Sequence, residues 1–203
     1  MKRIGIMGGT FNPVHNGHLL IAENAREQIE LDEVRFIPNG APPHKRNEHI
    51  AYGSHRLNMI RLAIADNEAF VADDCELLEA RVSYSYLTLQ ELHERSPEDA
   101  LFFIMGGDSL RDFKTWYHPE LICRYAVLVA AVRADCDREH LSGYACELKQ
   151  LFNADVRLIE TPDLAVSSSG LRERICAGRT IRYQVPEAVR AYIEEHELYK
   201  EKR

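Results

Sequence analysis

A short apolar run, Ile4-Gly5-Ile6-Met7, breaks into Gly8-Gly9-Thr10-Phe11-Asn12-Pro13-Val14-His15-Asn16-Gly17-His18, after which the chain takes up a helical pattern. A Gly pair ending a buried strand lets the backbone come close to a ligand, and the helix start that follows points unpaired amides at an anion. The stretch therefore predicts a strand, a phosphate-binding loop and a helix in succession. His15 and His18, three apart with Gly17 between them, fall at the helix entrance, so both rings can face a bound phosphate and donate to charge building on its oxygens. Two familiar phosphate loops do not fit. No Lys-Ser or Lys-Thr pair follows the second Gly, and adjacent glycines break the GxGxxG spacing.

The rest of the chain repeats the strand-to-helix theme. Ile21, Ala22, Ala25 and Ile29 recur at helical steps, and Val34-Arg35-Phe36-Ile37 reads as a second strand halted by Pro38-Asn39-Gly40. A strand, helix and strand in succession imply a right-handed parallel crossover. Ser54 is a candidate cap for a helix carrying Leu57, Ile60, Ala63 and Ile64, with His55, Arg56 and Asn58 expected mostly to face solvent. Phe70 to Leu77 reads as a third strand or strand end with an acidic cluster, Asp73, Asp74 and Glu76, which suits either a solvated turn or Mg²⁺. A short helix is expected over Leu89–Arg95, with Thr88 a natural N-cap ahead of it. Ala100 to Met105 is apolar throughout and ends in Gly106-Gly107-Asp108-Ser109, and Tyr125 to Val132 is a further apolar strand ending at Arg133.

Continuous apolar strands belong to parallel sheets covered on both faces, and in such sheets ligands collect beyond the strands' carboxyl ends. Both Gly pairs lie at such ends. Arg133 is placed either to grip a phosphate or to form a surface ion pair, and Trp116 either to pack or to stack on a flat ligand. Leu141, Ala145, Leu148 and Phe152 mark another helix, Val156 to Ile159 a last strand, and Ser167-Ser168-Ser169 a helix start with Arg172 about one turn in. Pro186 opens a closing helix that carries Val189, Tyr192 and Ile193 inward and runs to Leu198.

Composition bounds the partners. The 203 residues suit one domain, 1–203, and a formal net charge of -7 disfavours a nonspecific nucleic-acid or anionic-membrane binder. Five cysteines without CxxC spacing read as reduced thiols rather than a disulfide framework or a zinc site. The apolar run before Gly8 is too short for a signal peptide, and no stretch approaches the ~20 apolar residues of a membrane span, so a cytoplasmic protein is expected. Oligomeric state is left open, a homo-oligomer included.

The string GGTFNPVHNGH resembles the His-x-Gly-His signature of the bacterial nicotinate mononucleotide adenylyltransferases. Three further stretches carry the likeness. Pro42-Pro43-His44-Lys45 resembles that family's substrate loop; Gly106 to Trp116, with Asp108 and Phe113, its Gly-x-Asp-x-Leu-x-x-Phe-x-x-Trp pattern; and Val166 to Arg172 its Ile-Ser-Ser-Thr-x-Ile-Arg motif. Ser83-Tyr84-Ser85-Tyr86-Leu87-Thr88-Leu89 keeps Ser83, Tyr84, Thr88 and Leu89 of a fifth string but replaces its Thr and Asp with Ser85 and Leu87.

The resemblance implies a Rossmann-like, doubly wound α/β fold with a mainly parallel sheet, helices on both faces, and a C-terminal helical part, about 166–198, completing the ATP site. It implies catalysis by His15, His18 and Arg172. ATP would meet Gly8, Gly9, Thr10, Phe11, Gly17, Gly106, Ser168 and Ser169 beside those three, and the mononucleotide Asn39, His44, Lys45, Arg46, Thr88, Asp108, Trp116, Tyr117 and Arg133. The substrates would be ATP and nicotinate mononucleotide, with Mg²⁺ held mainly by phosphates rather than by a dedicated protein cage.

Overall fold

Alternation inside the apolar strands decides the layers. A computed structural model describes residues 1–40, 50–77, 83–132 and 135–200, with the side chains of 135–137 set aside. The elements run β1 (Arg3–Gly9), α1 (Asn16–Ile29), β2 (Glu33–Pro38), α2 (Gly53–Ala63), β3 (Phe70–Ala72), α3 (Ser85–Arg95), β4 (Ala100–Gly106), α4 (Gly107–Asp112), a 3-10 turn (Phe113–Thr115), α5 (Pro119–Tyr125), β5 (Ala126–Val132), α6 (Asp135–Phe152), β6 (Val156–Glu160), α7 (Ser168–Cys176) and α8 (Glu187–Glu195). Successive strand side chains point to opposite faces. Met7, Phe102, Ile104 and Val129 accordingly join one apolar cluster with Ala22 and Ala25 of α1, Met59 and Ile60 of α2, Leu171 of α7 and Val189 and Ile193 of α8. Ile4, Ile6, Leu101, Phe103 and Leu128 join the other, with Leu89 of α3, Leu110 of α4, Ile122 of α5 and Leu141 and Leu148 of α6. Each fully buried Leu, Ile or Phe contributes about 1.5–3 kcal/mol, which is why strands covered on both sides read as unbroken apolar runs.

The sheet order is β3-β2-β1-β4-β5-β6 and every pairing is parallel. The expected doubly wound α/β sheet is thus present. The strand order reverses between β1 and β4, so the connections leaving these neighbours diverge to opposite faces and leave a crevice at their carboxyl ends. Close packing continues beneath it: a Cβ on Gly5 would lie 2.8 Å from Leu31 Cδ1 and 2.9 Å from Ile104 Cδ1.

Several boundaries differ from the sequence expectation. β3 stops at Ala72 because Asp73 Oδ1 accepts the Cys75 amide at 3.0 Å, a side-chain turn that ends the extended run. The acidic residues beyond it are engaged: Asp73 pairs with Arg35 at 3.9 Å, Asp74 with Arg61 at 3.8 Å, and Glu76 accepts from Thr88 at 2.6 Å. α3 begins at Ser85 with Tyr84 as its N-cap, so Thr88 lies inside the helix and does not cap it. α2 begins at Gly53 with Tyr52, not Ser54, at the cap. Its early polar residues face protein: His55 Nδ1 and Asn58 Nδ2 meet the Tyr192 hydroxyl of α8 at 2.9 and 3.2 Å, and Arg56 is buried. Tyr125 closes α5, a helix that Pro119 starts, and is not the first residue of β5.

Candidate active site

β1 leaves the sheet at Gly9, and His15, extended at φ -148 and ψ 168, is the N-cap from which α1 starts. The three-residue step from His15 to His18 is close to one helical turn, so the two rings come together and stack, with centroids 3.7 Å apart. The His15 amide donates to His18 Nδ1 at 3.2 Å. That bond leaves the His18 ring proton on Nε2. Burial, with the neighbouring His15 charge adding to it, holds His18 well below the ordinary histidine range, so the ring is neutral at pH 7. The Phe11 ring meets His18 edge-on at 5.0 Å and Phe36 at 5.9 Å; its side chain is core, and it fixes the His18 plane from below.

These groups open on a cleft of about 480 Å³ at the crevice between β1 and β4. The volume is ordinary for a small-molecule site. Gly8, His15, Gly17 and His18 line it from the β1 side, Gly106 and Trp116 from the β4 side, and Ser168, Ser169 and Arg172 from α7. Ser167 caps α7 by accepting the Gly170 amide at 3.2 Å, while the Ser168 hydroxyl donates to Pro13 O and Arg172 Nη1 to Asn12 O, both at 2.9 Å. The C-terminal helices are therefore tied to the loop that follows β1. Trp116 packs against Phe103 at 5.9 Å and Phe113 at 5.5 Å and presents its remaining surface to the cleft.

Other residues singled out in the sequence lie elsewhere. Gly9 ends β1 and Thr10 follows it, but neither lines the cleft, and Thr10 Oγ1 accepts from Asn39 Nδ2 at 3.4 Å. Thr88 is buried with its hydroxyl proton on Glu76. Asp108 is exposed, pairs with Arg111 at 3.1 Å, and lines a separate cavity of about 250 Å³ between α4 and α6. Tyr117 stands half out of an aromatic group with Tyr84 at 4.7 Å and His118 at 4.3 Å. His44, Lys45, Arg46 and Arg133 lie outside the described residues.

Two features escaped the sequence reading. Arg56, 2 % exposed, donates to Thr10 O at 2.8 Å, Asn39 O at 2.7 Å, Asn39 Oδ1 at 3.3 Å and Ala51 O at 3.0 Å, stitching three loops together. The clue was its spacing: four residues before Ile60 puts Arg56 on the apolar stripe of α2. The Thr161-Pro162 and Leu164 segment also lines the cleft, and its position just after β6, at a strand's carboxyl end, was the available clue. Two half-buried thiols are poor nucleophiles: desolvation pushes Cys75 up to about 12 and Cys123 up to about 11. No helix among the described residues is long and apolar enough to cross a membrane.

Residues 6–174 match the family model described as cytidylyltransferase-like. A protein of Lachnoclostridium phytofermentans named "Probable nicotinate-nucleotide adenylyltransferase" is 43% identical over 199 residues, covering 98% of this chain and 100% of the relative. A Rhodopirellula baltica protein of the same name is 41% identical over 97% of this chain and 93% of its own. Among solved structures, the Plasmodium falciparum nicotinic acid mononucleotide adenylyltransferase complexed with NaAD superposes with a TM-score of 0.78 at 20% identity, covering 98% of each chain. At that identity the likeness speaks for the fold.

Proposed function

The chain belongs to the cytidylyltransferase-like family and, within it, to the nicotinate-nucleotide adenylyltransferases, and from that premise we propose that its cleft transfers the AMP moiety of ATP to nicotinate mononucleotide, a step of NAD biosynthesis. The observation that carries the reading is the convergence of His15, His18, Ser168 and Arg172, from opposite ends of the sequence, on one cleft at the sheet's switch point. A phosphate oxygen of the mononucleotide attacks the α-phosphorus of ATP. The new P–O bond forms as the bond to the bridging oxygen of the β-phosphate breaks, and pyrophosphate leaves on the opposite side.

No protein nucleophile enters this scheme, so the protein's part is alignment and charge stabilisation. Neutral His18 donates from Nε2 to the transferring phosphoryl group, with Nδ1 held by the His15 amide. The α1 N-terminus favours the same anion. Arg172, steered through Nη1 by Asn12 O, carries the departing pyrophosphate, and Trp116 offers a face to the pyridine ring. Mg²⁺ would come with ATP, held mainly by its phosphates, and would neutralise charge on them. In this reading residues 1–203 work as one nucleotidyltransferase domain whose C-terminal helices complete the ATP site, and five cysteines without a disulfide spacing suit a reducing, cytoplasmic setting.

The test is the initial rate of pyrophosphate release with ATP and Mg²⁺, comparing nicotinate mononucleotide, nicotinamide mononucleotide and phosphopantetheine as acceptors. The nicotinate form should be the fastest, with no release in the absence of acceptor and collapse in His18→Ala. Faster release with phosphopantetheine would overturn the acceptor assignment, and ATP binding with no turnover on any acceptor would overturn the reaction.

A further inference from the structure

The loop that carries the two histidines is held at Asn12 by residues from the far end of the chain. Asn12 is 1 % exposed. Its side-chain oxygen accepts the Tyr199 hydroxyl at 2.8 Å and the Ala51 amide at 3.1 Å, and its carbonyl accepts Arg172 Nη1 at 2.9 Å. Ala51 O in turn accepts Arg56 Nε at 3.0 Å, while Arg56 Nη1 holds Thr10 O at 2.8 Å. Tyr199 lies beyond α8, past the matched family region of residues 6–174, and no part of it lines the cleft. Burial raises its phenol above the ordinary tyrosine range although the Arg172 and Arg56 charges oppose the rise, so the hydroxyl stays protonated and remains a donor.

We infer that Tyr199 is a positioning residue for the transfer reaction: by donating to Asn12 Oδ1 it sets the loop carbonyl that aims the Arg172 guanidinium and the segment that leads to His15 and His18. The inference rests on the proposed roles of His18 and Arg172. A donor to a buried oxygen shared with one other amide removes a rotational choice from Asn12, and Asn12 passes that restraint to Arg172 through its own carbonyl. Tyr192 provides the matched contrast. It too spends its hydroxyl on a part-buried pairing, with His55 and Asn58 of α2, but that pairing joins helix to helix and reaches no residue of the cleft.

The experiment compares Tyr199→Phe and Tyr192→Phe in the full chain, each by steady-state kinetics with ATP, Mg²⁺ and nicotinate mononucleotide and by thermal melting, with His18→Ala alongside. Tyr199→Phe is expected to lower kcat about tenfold, the worth of one buried hydrogen bond expressed only in the aligned complex, with KM for the mononucleotide within about twofold. Its Tm should fall no further than that of Tyr192→Phe, which should keep kcat within about twofold. Wild-type kcat in Tyr199→Phe, or a kcat loss equalled by Tyr192→Phe at a matching Tm loss, would overturn the inference. If His18→Ala retained wild-type kcat, the reading of the site itself would fail, whatever Tyr199→Phe did.

Discussion

The two groups of residues assigned to the proposed reaction are built on different terms. Those proposed to handle phosphate, Gly8, His15, Gly17, His18, Ser168 and Arg172, line one cavity, their places fixed by where β1 ends and where α1 and α7 begin. Residues that the same resemblance assigns to the acceptor stand outside that cavity, after β2, in α3 and in α4, and have structural partners: Asn39 with Arg56, Thr88 with Glu76, Asp108 with Arg111. Phosphate handling follows from the sheet, because strand ends and helix starts are common to any chain with this topology. Acceptor recognition as proposed would hang on side chains whose first interactions are with the protein, so substitution there mixes binding with folding.

His18→Asn should open the widest gap between the two groups. The Asn oxygen can replace Nδ1 as acceptor for the His15 amide while the Nε2 donor is lost, so kcat should fall by about 10²–10³ with little change in urea midpoint. A comparable loss of stability would show that the histidine pair is structural. Arg56→Met should act in the opposite sense. Removing a buried guanidinium from five oxygens costs about 3–5 kcal/mol in chemical denaturation, and retention of full stability would dissolve the idea that this junction underlies the proposed acceptor site.

Thr88→Val is expected to cost about 1–2 kcal/mol of stability, because Glu76 loses a buried donor. A higher KM for the mononucleotide without destabilisation would instead make Thr88 a direct contact. The smallest signal is a pH dependence. Because His18 sits below its ordinary range in the folded protein, the unfolded chain takes up a proton first, and stability present above pH ~6.5 should decline as pH falls toward the folded value. The same depression predicts that no step in kcat/KM between pH 7 and 8 arises from His18. Stability that rose on acidification from pH 7, or a decline just as steep in His18→Asn, would remove His18 as its source.

The fold was legible where one physical cause acts alone. The apolar runs of β1, β4 and β5 could only be buried on both faces, and Gly8 and Gly106 at their ends marked the ligand side. Ser167, Ser168 and Ser169 announced a helix start, and Ser167 took the cap. Legibility failed where a side chain serves a distant backbone. Arg56 reads as a solvated helix residue because its acceptors come from residues 10, 39 and 51, and Asp73 ends a strand by a turn that Phe70-Val71-Ala72 does not forecast. α5 was hidden because Tyr125 continues smoothly into the apolar run of β5.

Asn12 and Tyr199 are 187 residues apart, and their hydrogen bond sets an order of events during synthesis. At about 5–20 residues per second, roughly 10–40 s pass between translation of the loop and translation of the residue that pins it. Strands β1 to β5 can pair in that interval, but Arg172 reaches Asn12 only after β6 has been made, and Tyr199 later still. A nascent chain on the ribosome therefore carries the histidine pair well before the contacts that complete its surroundings can form.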